Sequence, residues 1–120
     1  MAVRALRGAT QVAVDEREAV IAATAELIGA VLERNRLTAA DLISIIFTTT
    51  PDLVAEFPAY AARTIGITDV PFLCAGEIAV PGAMSRVVRL MAHVDTSRPR
   101  SAIQHVYLRG AAALRLDIAQ

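Results

Sequence analysis

One segment, Phe72 to Val94 (FLCAGEIAVPGAMSRVVRLMAHV), restricts the fold more than any other part of this 120-residue chain. With Val70 and Pro71 ahead of it, it opens as a short apolar run ending at Cys74, the pattern of a buried strand. Glu77 stands just past the strand tip, so one carboxylate sits at the end of an apolar element. Pro81-Gly82 breaks the chain, and Met84, Val87, Val88, Met91 and Val94 then form an apolar stripe. The spacing predicts a helix whose other face carries Arg86, Arg89 and His93. An acid and two guanidinium groups near a short turn make a polar site for an anionic ligand. Two solvated arginines on an ordinary surface helix account for the same pattern.

The flanking sequence supplies the other elements. Ala2 to Val14 reads as a strand running into a loop, with Arg7 on the side of Val3, expected to be interior. Gly8 would let another backbone or side chain come close. A helix begins at Asp15, which with Glu18 fits a capping box, and Val20, Ala23, Leu27, Ile28, Val31 and Leu32 form its buried face. LISIIFTTT, Leu42 to Thr50, is apolar and β-branched, a central strand. Thr50-Pro51-Asp52 reads as a helix start, followed by short helical pieces broken at Pro58 and ended by Gly66 as a C-cap. Ile103 to Arg109 alternates as a strand, and Ala111 to Leu116 continues it beyond a bend at Gly110. About five strands and two substantial helices in one domain give an α+β fold of α/β type, with the helices on one sheet face. The other face has no cover within the chain, so oligomer formation is expected.

Composition removes several function classes. All twelve basic residues are Arg and are balanced by twelve acids, so nothing favours nucleic acid or an anionic membrane. Without Lys a Schiff-base mechanism is excluded, and carboxylates must be recognised by guanidinium groups. One Cys and two His make neither an internal disulfide nor a good metal set. No apolar run has the length of a bilayer, and a soluble, cytoplasmic protein is expected. A Cys74–His105 dyad is conceivable, but a thiol in a buried apolar strand is normally inert. Arg7, Arg63, Arg89, Arg115, Glu77 and Tyr107 remain. This set can hold a small polycarboxylate and stabilise negative charge that develops in a reaction, without covalent or redox chemistry.

At this point a family resemblance enters. The chain resembles the small, monofunctional, trimeric class of chorismate mutase, the class unlike the all-helical one. The matching pieces are RGAT at Arg7 to Thr10, TPDL at Thr50 to Leu53 and FPA at Phe57 to Ala59. They continue with Cys74 and Glu77, RVVRLMAHV bearing Arg89, HVYL at His105 to Leu108, and Leu114-Arg115. Their order and spacing run almost the whole chain.

The resemblance implies a mixed sheet of about five strands with two main helices, assembled as a trimeric pseudo-barrel. It implies the Claisen rearrangement of chorismate to prephenate in phenylalanine and tyrosine biosynthesis, with no cofactor and with three sites at the subunit clefts. By the resemblance, Arg89 donates to the ether oxygen and Glu77 accepts from the substrate hydroxyl. Arg7 and Tyr107 hold the enolpyruvyl carboxylate, and main-chain groups at Leu73 and Cys74 meet the hydroxyl end. Phe57, Ala59 and Leu114 form an apolar wall, with Arg63 and Arg115 at the mouth. Two departures are Tyr60, where relatives can carry a basic residue, and Leu73, where some carry a polar side chain. The alternatives are a trimeric imine deaminase-like enzyme and a non-catalytic carboxylate-binding trimer.

Overall fold

A computed structural model describes residues 1–114. The strands are β1 (Ala2–Gln11), β2 (Leu42–Thr49), β3 (Phe72–Gly76), β4 (Val87–Thr96) and β5 (Val106–Leu108); the helices are α1 (Arg17–Arg34) and α2 (Ala59–Thr64). Short 3-10 turns cover Ala39–Asp41, Arg100–Ala102 and Arg109–Ala113. The strands form one mixed sheet in the order β3-β2-β4-β1-β5. β4 lies at its centre, antiparallel to both β1 and β2, while β3 and β5 add in parallel at the two edges.

β4 corrects the expected helix over residues 84–94. Its apolar residues satisfy both a helical stripe and a strict alternation. The alternation wins because strands on both sides satisfy the backbone of β4. Val88, Leu90, Ala92, Val94 and Thr96 are buried on one face, and Arg89, Met91 and His93 occupy the other. Arg86 therefore shares no helical face with Arg89. It precedes the strand with φ of 53°, its backbone N–H donates to Asp52 Oδ2 at 2.8 Å, and its Nε donates to the Val12 carbonyl at 2.9 Å.

α1 packs on the face formed by Leu6, Phe47, Leu90 and Val94, burying Val20, Ala23, Thr24, Leu27, Ile28 and Val31. Gly8 permits this contact: a Cβ there would stand 3.2 Å from Leu27 Cδ1 and 3.2 Å from Val31 Cγ2. Buried Asn35, just past α1, donates from Nδ2 to the Val31 and Gln104 carbonyls, each at 2.9 Å, and accepts from Gln104 N at 2.8 Å. The segment entering β5 is pinned there.

Three local readings change. Asp15 does not cap α1; its carboxylate accepts from Val54 N and Ala55 N at 3.1 Å, holding the loop before α2. Thr50-Pro51-Asp52 is a turn rather than a helix start, with Thr50 Oγ1 accepting from Val87 N at 3.0 Å. Helix α2 waits until Pro58 has fixed φ at its N-cap. Where the strand Ala111 to Leu116 was expected, the chain forms the 3-10 turn Arg109–Ala113, started by Arg109 at φ 53°, and residues 115–116 of that expectation lie outside the described residues. The predicted C-cap holds: Gly66 has φ of 85°, and Gly66 N and Ile67 N donate to the Arg63 and Ala62 carbonyls.

Both helices lie on one side, with α2 packed beside α1. The opposite sheet face is open, and Val3, Ile46, Leu73 and Met91 are 58, 38, 62 and 38% exposed on it. Arg7 does share the side of Val3, but that side is this open face and not the interior of the chain.

Candidate active site

The chemistry converges at one end of the open face. β2 and β4 place Thr48 directly opposite Arg89, and β3 places Ala75 on the far side of Thr48. One residue beyond β3, Glu77 N donates to the Thr49 carbonyl at 2.9 Å, prolonging the β2–β3 ladder. That bond turns the Glu77 side chain onto the polar end of β2. Thr48 Oγ1 donates to Glu77 Oε2 at 2.6 Å, and Arg89 Nε lies 3.2 Å from the same oxygen. The Arg89 contact is an ion pair by distance but no hydrogen bond, because its N–H is not aimed at the oxygen. The guanidinium stays 43% exposed and the carboxylate 19%. Acid and base therefore sit side by side at a rim, each with capacity left for a third group.

Arg7 joins this face from β1, diagonal to Arg89 across one strand pair. Its backbone N–H donates to His105 Nδ1 at 3.0 Å, so an imidazole extends the β1–β5 edge at this point. Tyr107 pairs with Ala9 on β5 and is buried, packing with Ala9, Val87 and Ala111. Leu114 and Met84 lie against the same cluster, so Leu114 backs Tyr107 in its own chain. Arg115 lies outside the described residues.

A second group lies beyond β3, on the helix side. A cleft of about 300 Å³ is lined by Thr49, residues 53–58 and residues 74–76. Next to it, a depression of about 220 Å³ gathers Phe57, Ala59, Tyr60, Arg63 and Cys74. Phe57 is 70% exposed, a large ring with little to pack against in its own chain. Its loop is held by Asp15 and by Arg17, whose Nε donates to Glu56 Oε2 at 2.9 Å while its guanidinium stacks 4.9 Å over the Tyr60 ring.

The alternation of β3 separates the two groups: Leu73 faces the open side with Ile46, and Cys74 faces the core with Phe47. Arg7 and the Phe57–Arg63 group stand on opposite faces, with the spacing from β1 to β3 alone roughly 14 Å. A single chain therefore brings together Arg89, Glu77 and Arg7, with Tyr107 beside them, and separately Phe57, Ala59, Arg63 and Cys74. It does not close both groups around one small molecule. The Cys74–His105 dyad is also absent, since the two lie at opposite edges of the sheet, roughly 19 Å apart by strand spacing.

The sequence reading missed Thr48 and Arg17 and took Asp15, which holds the loop before α2, for a helix cap. Thr48 was visible only as a β-branched residue in LISIIFTTT. Its partner Glu77 is 29 positions away, and only the β2–β3 register brings them together.

Comparison with known proteins identifies the family. A family model described as chorismate mutase type I matches residues 3–118. The chain is 46% identical over 117 residues to chorismate mutase AroH of Thermus thermophilus, covering 97% of this chain and 96% of the relative. It is 37% identical over 119 residues to chorismate mutase AroH of Bacillus subtilis, covering 98% and 94%. A solved chorismate mutase from Clostridium thermocellum superposes with a TM-score of 0.90 at 44% identity, covering 92% of this chain and 98% of that one. A match across nearly the whole length, in sequence and in fold, shows that the chain belongs to the chorismate mutase type I family.

Proposed function

We propose that this chorismate mutase, an isomerase of aromatic amino acid biosynthesis, works at sites shared between neighbouring copies of the chain in a homotrimer. One copy supplies Arg7, Glu77, Arg89 and Tyr107; its neighbour supplies Phe57, Ala59, Arg63, and the Leu73–Cys74 main chain. The observation that carries this reading is the rim pair of Glu77 and Arg89, held 3.2 Å apart on an apolar sheet face that its own chain leaves open. A second copy laid on that face buries Val3, Ile46, Leu73 and Met91 and brings a second set of side chains to the rim.

The chemistry needs little beyond placement and fixed charge. Chorismate is a dianion, and its conversion to prephenate breaks a C–O bond and forms a C–C bond in one step. Negative charge grows on the ether oxygen, and positive charge spreads over the ring fragment. Arg89 donates to the oxygen, and a preorganised donor of this kind lowers a barrier by about 3–4 kcal/mol. Glu77 accepts from the ring hydroxyl and faces the positive fragment. Arg7 and Tyr107 hold the enolpyruvyl carboxylate. Arg7, Arg89 and Arg63 of the neighbour outweigh Glu77 by two positive charges beside the dianion, and Arg115 adds a third at the mouth. Arg63 and Arg115 stand at the mouth, and Phe57, Ala59 and Leu114 keep the substrate in its compact, reactive conformer. Zero net charge and a lone Cys suit a catalyst of the cytoplasm.

The test is an assay of the purified protein on chorismate, following loss of substrate absorbance and identifying prephenate, beside a native mass measurement. Turnover by a three-copy species supports the shared site. Full turnover by a monomer overturns it.

A further inference from the structure

We propose that Thr48 is a positioning residue for the mutase reaction: its hydroxyl locks the Glu77 carboxylate in the rotamer that leaves one oxygen and the Arg89 guanidinium turned to the substrate. The inference rests on the reading above that Glu77 and Arg89 act on the substrate.

Three features converge on Thr48. It lies at the polar end of β2, between Ala75 of β3 and Arg89 of β4, so its side chain stands on the open face between the acid and the guanidinium. Its Oγ1 is 2.6 Å from Glu77 Oε2, the short distance of a hydroxyl donating to a carboxylate. Arg89 Nε reaches that oxygen at 3.2 Å without directing its N–H there. The aligned bond that fixes the acid is therefore the one from Thr48, and Arg89 supplies charge without geometry.

The arrangement divides the work of the two carboxylate oxygens. Oε2 is occupied by Thr48 and Arg89. The Thr48 hydrogen bond and the Arg89 ion pair both fall on Oε2, which leaves Oε1 to accept from the ring hydroxyl. Without the hydroxyl, Glu77 can swing fully onto Arg89 and form a two-point pair, the arrangement a carboxylate and a guanidinium favour. That collapse would take from the substrate both the acceptor and the donor.

The test compares Thr48→Val, Thr48→Ser and Thr48→Ala with Glu77→Gln, by steady-state kinetics on chorismate, native mass and thermal melting. Valine keeps shape and strand preference and removes only the donor. The expected result is a fall in kcat of about tenfold for valine and alanine with KM within about twofold, and near-complete recovery in serine. In the Glu77→Gln background, valine should cost little more. Normal kcat in a folded valine variant, or failure of serine to recover it, overturns the role of Thr48 while an impaired Glu77→Gln enzyme keeps the site reading intact. Full activity in Glu77→Gln overturns both. If valine prevents folding, alanine and serine carry the same comparison.

Discussion

Arg7 of β1 and Arg89 of β4 stand diagonally across one strand pair on the open face, Arg7 opposite Met91 and Arg89 opposite Ala9. Diagonal neighbours of this kind are about 7–8 Å apart, a span that long side chains bridge easily. Two like charges held there repel, and under the proposed function a dianion between them removes the repulsion. The pairing register of the sheet sets this spacing, so β1 and β4 measure out the distance between the two cations.

Arg89→Ala should lower kcat by about 10²–10³-fold, the loss expected on removing one preorganised donor. The melting temperature should change by only a few degrees, because the side chain is 43% exposed and anchors nothing in the core. Kinetics beside a thermal melt check this. A kcat within a few-fold of the wild type would remove Arg89 from the reaction.

Sharing of the site can be tested by complementation. Arg89→Ala disables one half and Arg63→Ala the other, so each homotrimer should be nearly inactive. Co-refolded at equal amounts, a cyclic trimer should regain about a quarter of wild-type activity, the fraction of sites receiving two intact halves. If both halves came from the same chain, mixing would restore nothing.

Cys74→Ala should keep activity within about threefold, since a half-buried thiol facing the core is not a nucleophile. Stability should fall by about 1 kcal/mol, because a side chain packed against the core becomes smaller. A folded but inactive Cys74→Ala enzyme would return the thiol to the mechanism.

Asp52 gives a pH signature. Burial pushes its carboxyl up, but hydrogen bonds from Thr50, its own backbone and Arg86 outweigh that and hold it below the ordinary value of 3.8. A carboxyl lowered on folding stabilises the native state above the unfolded value, and that share disappears as pH falls through the folded one. Asp52→Ala should therefore melt lower than wild type at pH 7. The two melting temperatures should converge as pH drops below 3.8. A gap that stays constant down to about pH 2 would show that the charge of Asp52 is not its source.

Where one period dominated, the sequence could be read directly. LISIIFTTT is too short and too β-branched for anything but a strand, and α1 has a full helical stripe. Gly66 ends α2 as its left-handed φ requires. RVVRLMAHV was misread because its apolar positions fit both periods, and the deciding hydrogen bonds come from β1 and β2, remote in sequence. Asp15 looked like a cap because nothing nearby showed the amides of Val54 and Ala55 arriving from another loop. Arg7, Arg63, Arg89, Arg115, Glu77 and Tyr107 stand out by elimination of other chemistries, whereas Phe57, Ala59, Leu73, Leu114 and the role of each residue come through family resemblance. Their division into two groups became visible only with the sheet order and the alternation of Leu73 and Cys74.

β4 carries core packing on one side, through Val88, Leu90, Ala92 and Val94, and the guanidinium of Arg89 on the other. A slip of β4 by one position would drive the guanidinium into the hydrocarbon interior and throw four apolar side chains into water. Such a chain could not persist as a stable but inert impostor. A register-slipped β4 should consequently be absent from the folded fraction of the unsubstituted protein.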